Sequence, residues 1–239
     1  MLVDFDNVEP GLKSAGPVSL ARLLVPLVPE AVLARHDSVV VRLYGGWRSQ
    51  GLLTTLAQRL VPDIRSGSPT IVAVTHSGAR HQFRLTVELA DCPIGTSAPL
   101  QETLVKDRDL RKFRSRPAGW PECATPSMCG FGHVVGVSHA TACSRPGCAS
   151  RLGHVLVRDE QKMVDTLIVA DIAFQALSHR ATDVVIVSSD TDMWPGVLLA
   201  LRSGCAVTHI HTRSGWKTQR HLIGTLSGQA YRSYQQLSV

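Results

Sequence analysis

Five aspartates stand where apolar segments end or helices begin. Asp4 and Asp6 lie in LVDFDNV at residues 2–8, with Asn7 beside them. Asp165 lies in QKMVDTLIVADI, three residues after Lys162 and six before Asp171. Asp190 and Asp192 lie in VIVSSDTDMWPGV, just after Ser188. Carboxylates brought together repel, and each raises the pKa of its neighbours unless a cation neutralises them. A small cluster of hard oxygen ligands suits Mg²⁺ or Mn²⁺, which keep several waters and bind phosphate oxygens. Such an ion acidifies a bound water and polarises a phosphoryl group, so the residues suggest phosphodiester or phosphomonoester chemistry. Taken singly, Asp190 or Asp192 would serve equally well as a cap on the following helix.

The elements that must position these acids are legible from periodicity. Strands are predicted at 1–8, 38–46, 69–75, 82–89, 153–157, 183–188 and 205–211. Helices are predicted at 18–35, where Pro26 and Pro29 should kink the chain, and at 49–61, with Ser49 as cap. Further helices are expected at 160–178, 192–203 and 217–226. Strand and helix alternate, which predicts an α/β fold with a mainly parallel sheet flanked by helices. In such sheets ligands sit beyond the carboxyl ends of the strands, where strand order reverses. If the strands at 1–8 and 183–188 are neighbours, their acids meet at one edge. Asp6 in an extended strand would share a face with Asp4.

Residues 91–152 break the pattern. Pro, Gly, Ser, Cys and charge dominate, and the segment is too long for an ordinary loop, so it reads as an insertion into one domain spanning 1–239. Four of the six cysteines fall here: Cys123, Cys129, Cys143 and Cys148. Two thiol pairs separated by a loop can bind a structural Zn²⁺ with four thiolates, with His133, His139 and His154 as alternative ligands. A zinc would also explain how so apolar-poor a segment folds. Cys205 reads as core, and Cys92 as a fifth thiol. The run KDRDLRKFRSR at 106–116 could track a phosphate backbone through Arg108, Arg111, Lys112, Arg114 and Arg116, with Phe113 stacking on a base. A solvated helix laced with Asp–Arg pairs would read the same way. Arg213, Lys217 and Arg220 form a second, weaker basic group. His209 and His211 share one face of the last predicted strand.

The three acidic segments resemble the motifs of NYN-domain proteins, a branch of the PIN-like nuclease superfamily. LVDFDNV resembles the first, with Asp4 and Asn7 as its D-x-x-N. QKMVDTLIVADI resembles the second through Lys162, Val164, Asp165 and Asp171. VIVSSDTDMWPGV resembles the third through Ser188, Asp190, Asp192, Met193 and Pro195. The resemblance covers about 1–90 and 153–225, in the family's order. Met193 stands where an aromatic is frequent, and the insertion is not part of the family core. The resemblance implies a PIN-like, Rossmann-like fold and a divalent-metal-dependent endoribonuclease. Asp4, Asp165, Asp190 and Asp192 would hold Mg²⁺ or Mn²⁺. Asn7 would position Asp4 or a metal water, and Lys162 would contact phosphate or balance the cluster. Asp171 would support from another face of the helix, with Ser188 and Asp6 as further supporting residues. Some members of this superfamily only bind RNA. Asp4-Phe5-Asp6 also resembles the D-x-D of haloacid dehalogenase-like phosphatases, with Asp4 as nucleophile and Asp6 as acid/base.

The chain has 239 residues, a net charge of +6 and a pI of about 9.2. That charge favours a polyanionic partner such as RNA, single-stranded or structured. A protein partner or a homo-oligomer is compatible with it. No apolar run is long enough to cross a bilayer and no secretory signal is read, so no membrane association and a cytoplasmic location are expected.

Overall fold

The computed structural model describes residues 1–76, 78–107, 141–151, 158–161, 163–178, 181–213, 215 and 217–238. The chain divides into two compact units. Met1–Leu104 and Gln161–Val239 form the first, and Val105–Glu160 the second. The expected insertion therefore begins and ends later than its composition suggested: 91–104 belongs to the first unit.

The first unit is α/β. Its sheet is formed by β1 (Leu2–Asp4), β2 (Ser38–Tyr44), β5 (Thr70–His76), β6 (Ala79–Leu89), β9 (Asp183–Val187), β10 (Ala206–His211) and β11 (Tyr234–Ser238). The order across the sheet is β11-β10-β9-β1-β2-β6-β5. Every neighbouring pair is parallel except the edge hairpin β5–β6. β1 and β9 are neighbours, with Leu2 opposite Ile186 and Val3 opposite Val187. From β1 the chain crosses to β2 on one side; β9 then takes the other side and leads outward to β10 and β11. Strand order thus reverses at β1/β9, the place where doubly wound sheets open a crevice.

Successive strand residues face opposite sides, and the core follows that alternation. Val3 packs in one apolar cluster with Leu20, Leu24, Leu43 and Leu85. Leu2 packs in the other with Ile168, Ile172, Val197 and Leu201. The first cluster includes side chains of α2 (Pro17–Leu24) and α4 (Thr55–Gly67), and the second side chains of α5 (Val164–Leu177) and α6 (Trp194–Arg202). By the same alternation Asp4 lies on the side of Leu2, the side of the helix that carries Asp165.

The expected helix at 18–35 is broken as its prolines required. α2 gives way to a 3₁₀ turn at Val25–Leu27 and then to α3 (Glu30–Leu33), which follows the short α1 (Pro10–Lys13) and α2. The helix expected at 49–61 is corrected. Gln50 and Gly51 adopt φ of 52° and 77°, a left-handed pair that makes a hairpin of β3 (Arg48–Ser49) and β4 (Leu52–Leu53). The helix starts after it, and Thr54, not Ser49, caps it by accepting from the Ala57 N–H. β11 was not foreseen. Its sequence, YQQLS, alternates weakly and lies half exposed at the sheet edge. The helix expected at 160–178 begins at Val164, because Arg158–Gln161 form β8, which pairs with β7 (Leu104–Asp107). The helix expected at 217–226 shortens to α7 (Arg220–Ile223), followed by α8 (Gly228–Arg232). The strand expected at 153–157 lies outside the described residues. Among the described residues no helix is long and apolar enough to cross a membrane.

In the second unit Ala142 bridges Arg151, and the Cys143 N–H donates to the Ser150 carbonyl at 2.9 Å. The Cys148 N–H donates to the Arg145 carbonyl at 3.1 Å, closing a turn that brings the two cysteines together.

Candidate functional site: an acidic crevice at the strand-order reversal

Asp4 is the last residue of β1 and is 1 % exposed. A carboxylate there needs donors, and it has three. Asn7 Nδ2 and Ser188 Oγ donate to Oδ2 at 2.6 and 2.8 Å, and the Asn7 N–H reaches Oδ1 at 3.3 Å. Oδ2 is therefore fully engaged while Oδ1 carries one long contact, so Oδ1 is the oxygen with lone pairs to spare. Ser188 follows β9 and is in turn held from behind. The Asp190 N–H donates to its Oγ at 3.0 Å, and His209 Nε2 bonds its carbonyl at 3.0 Å. The Asp192 N–H donates to Asp190 Oδ1 at 3.1 Å, the local bond that favours Asp in tight turns. Thr212 Oγ1 donates to the Asn7 carbonyl at 3.2 Å, and the Arg213 N–H to Ser189 Oγ at 3.3 Å. The loops after β1, β9 and β10 are thus tied to one another at the carboxyl edge.

Asp165 sits in the first turn of α5. Its carboxyl is pushed up to about 6, first by burial, then by the charges of Asp4, Asp190, Asp192 and Asp6. A helix N-terminus ordinarily favours the ionised form; burial first, and then crowding by like charge, outweigh it. Burial also raises Asp4, with Asp190 adding to it, and raises Asp6, with Asp4 adding to it. The other four carboxylates therefore all lie within electrostatic reach of Asp165. Among the described residues no group of three or more His, Cys, Asp or Glu side chains is placed to hold a metal ion. The acids face one another at electrostatic rather than contact range. A Mg²⁺-type ion needs only one or two direct carboxylates, with waters filling the rest, so such a convergence is not a requirement for it.

Asp6 departs from the expected extended geometry. β1 ends at Asp4, and a turn follows in which the Val8 N–H donates to the Phe5 carbonyl at 3.2 Å. Asp6 Oδ2 accepts from the Gly46 N–H at 2.9 Å. Lys13 Nζ donates to the Asp6 carbonyl at 2.8 Å and lies 5.5 Å from the Phe5 ring centroid. Lys13 is a cation beside the acids that the sequence did not single out, because α1 carries no periodic pattern to place it.

The glycine pair after β2 has a specific task. A Cβ on Gly45 would fall 2.8 Å from both Asp6 Oδ2 and Trp47 Cζ2. Trp47 is fully buried and donates to the Leu43 carbonyl at 2.7 Å, so it has no room to yield. Gly45→Ala is expected to cost about 1–3 kcal/mol, the usual range for overpacking, measured by denaturant unfolding. An unchanged midpoint would show that the approach is looser than described.

Several expected residues fall elsewhere. Asp171 is fully buried and turned away from the crevice, accepting from Tyr44 Oη at 2.6 Å and from the Ile94 N–H at 2.7 Å. His209 and His211 do share a face, with rings stacked 4.3 Å apart, but both are buried. Cys205 is core, as read. Cys92 is half-buried with its Sγ 3.5 Å from the Thr96 carbonyl. Arg213, Lys217 and Arg220 are exposed. Cys143 and Cys148 are exposed free thiols, and hydrogen bonds from Ser150 and then from Cys143 lower the Cys148 pKa. Cys123, Cys129, Lys162, His133, His139, His154 and the basic run Arg108, Arg111, Lys112, Phe113, Arg114 and Arg116 lie outside the described residues.

No profile of a known protein family, no curated protein and no solved structure matches the chain.

Proposed function

We propose that the chain is a divalent-metal-dependent endoribonuclease with a PIN-like NYN core. The observation that carries this reading is the electrostatic coupling of Asp165 to Asp4, Asp6, Asp190 and Asp192 at the β1/β9 reversal point. Four or five carboxylates crowded at one sheet edge are costly for the fold, and a cation offsets that cost. Asp4 through Oδ1, with Asp165, Asp190 and Asp192, would hold Mg²⁺ or Mn²⁺, one or two of them directly and the others through bound water, and the ion would supply an acidified water and charge neutralisation at the phosphate. Asn7 and Ser188 fix the Asp4 carboxylate by hydrogen bonds to Oδ2. Lys162, in the resembling motif, would contact the phosphate or balance the acids. The net charge of +6 favours RNA as the partner. Arg108, Arg111, Lys112, Phe113, Arg114 and Arg116 would track its backbone and bases. The phosphatase reading gains nothing from the site: the extended strand that would set Asp6 beside Asp4 ends at Asp4, and Asp6 Oδ2 accepts from the Gly46 N–H.

A structural Zn²⁺ on Cys123, Cys129, Cys143 and Cys148 belongs to the same reading, supported by the turn that joins Cys143 and Cys148. A cytoplasmic location is part of the proposal too.

The test is cleavage of single-stranded and structured RNA with Mn²⁺ or with chelator. Cleavage that needs the ion and falls about a hundred-fold or more in Asp190→Asn is the expected result. RNA binding without cleavage, unchanged by Asp190→Asn, would instead make this an RNA-binding module. Zinc well below one equivalent in freshly purified protein would remove the cysteine site.

A further inference from the structure

The two donors that fix Asp4 are themselves held, and both holds come from the end of β10. Asn7 Nδ2 and Ser188 Oγ donate to Asp4 Oδ2. The Asn7 carbonyl accepts from Thr212 Oγ1 at 3.2 Å, and the Ser188 carbonyl bonds His209 Nε2 at 3.0 Å. β10 is not the neighbour of β1, since β9 lies between them. Asp4 is thus oriented from two strands away. Ser188 Oγ also accepts from the Asp190 N–H at 3.0 Å, so a hold on Ser188 reaches two of the acids.

The state of the His209 ring follows from its partners. A carbonyl can only accept, so Nε2 is the nitrogen that carries the proton. Burial first, and then the neighbouring His211, hold His209 down to about 4, so the ring is neutral at pH 7 and Nδ1 accepts. Two hydroxyls can donate to it: Tyr234 Oη at 3.1 Å and Thr218 Oγ1 at 3.4 Å. Thr218 is tied to β11 as well, where its N–H donates to Gln236 Oε1 at 3.0 Å. One line of hydrogen bonds therefore crosses four neighbouring strands, from Tyr234 on β11 through His209 on β10 and Ser188 after β9 to Asp4 on β1. His209, Ser188 and Asp4 are each no more than 3 % exposed. Water competes little for bonds so placed, and bonds in such a chain strengthen one another. Burying an imidazole costs free energy that an apolar side chain at 209 would avoid. What the imidazole provides instead is an N–H for the Ser188 carbonyl.

We infer that His209 is a positioning residue for the metal-binding acids: through Ser188 it fixes the Asp4 carboxylate, keeping Oδ1 free, and sets where Asp190 stands. Thr212 plays the matching part through Asn7. This role rests on the metal-binding reading proposed above. His209 needs no contact with the ion or with RNA, because its effect travels through the Ser188 backbone. A residue that orients a metal ligand in this way changes the affinity for the ion before it changes anything else.

The test is Mn²⁺ affinity, measured by isothermal titration calorimetry on the full chain without RNA, with each variant checked for folding by circular dichroism. His209→Phe removes the N–H from the Ser188 carbonyl and keeps a ring. It should weaken Mn²⁺ binding about ten-fold, the low end of the range for a partner that orients a metal ligand. His209→Gln restores an N–H donor and should recover most of that loss. Thr212→Val removes only the hydroxyl on the Asn7 carbonyl and should weaken Mn²⁺ binding about three-fold or more. The Mn²⁺ concentration for half-maximal RNA cleavage should rise in the same variants, while RNA affinity in chelator stays as in the wild type. Unchanged Mn²⁺ affinity in His209→Phe, or in Thr212→Val if His209→Phe does not fold, would reduce the network to packing and overturn the inference. So would a His209→Gln as weak as His209→Phe. A wild type without measurable Mn²⁺ affinity would overturn this role and the nuclease reading together. Mn²⁺ binding that depends on His209, without RNA cleavage, would sink the nuclease reading and keep the positioning role.

Discussion

Asp165→Asn is expected to stabilise the protein while removing its proposed activity. The loss of metal-dependent cleavage should be at least about a hundred-fold, since even an outer-shell partner of a metal is worth 10–100-fold. The gain in stability follows from the raised carboxyl. Asp165 moves from 3.8 to about 6 in the fold, roughly two units, which sets a ceiling of about 3 kcal/mol. The side chain is partly solvated, so screening reduces this to about 1 kcal/mol. The sign is set by the direction of the shift. A carboxyl whose folded pKa is raised favours the native state fully below its unfolded value, and that contribution is lost as pH rises through about 6. Wild type and variant should therefore melt together near pH 4. By pH 7 in chelator, Asp165→Asn should melt about 2–4 °C higher. Mn²⁺ should raise the wild-type melting temperature above pH 6 and leave the variant nearly unmoved. Parallel melting curves for both proteins from pH 4 to 8, or equal stabilisation by Mn²⁺, would remove the account of Asp165 as an acid raised by burial and by its neighbours' charge.

Stability spent in this way is what links the sequence to the site. The acids could be read early because each stands at the end of a strand or the start of a helix, and a parallel sheet delivers such ends to one edge. The pairing of β1 with β9 was a condition of that reading, and the ladder meets it. What could not be read is how the chain turns once the strand stops. Period-two alternation put Asp6 beside Asp4, but it does not survive the turn at residues 5–8, which sends Asp6 to the Gly46 N–H. Ser49 and Thr54 are equally good caps on paper, and the left-handed backbone at Gln50 and Gly51 decides between them. The buried histidines bond Thr218 and Tyr234, which are distant in sequence from the aspartates, and Tyr234 belongs to a strand too polar to be foreseen.

Asp171→Ala is expected to cost about 3–5 kcal/mol, the range for breaking a buried charged pair. Asp171 matches the resembling motif yet lies away from the acids, and its contacts explain what it does instead. It joins α5 to β2 through Tyr44 Oη at 2.6 Å and to the segment after β6 through the Ile94 N–H at 2.7 Å. The Arg42 guanidinium stands 3.4 Å away and itself donates to the Cys92 carbonyl at 2.7 Å. Burial pushes the Asp171 carboxyl up, while Tyr44, Ile94 and Arg42 all favour its ionised form. Removing it leaves a phenol, an amide and a guanidinium short of an acceptor in the interior. Tyr44 is opposite Asp4 in the β1–β2 register, so this latch fixes α5, and with it Asp165, against the strand that ends in Asp4. Asp171→Ala should thus lower the melting temperature by roughly 10 °C and weaken cleavage through a raised metal requirement. Asp171→Asn, which keeps a carbonyl for Ile94, should cost less. A double-mutant cycle with Tyr44→Phe should show coupling above about 1 kcal/mol. Additive effects of the two changes would mean that the helix is held by its apolar face alone, and that Asp171 has no part in placing the acid six residues before it.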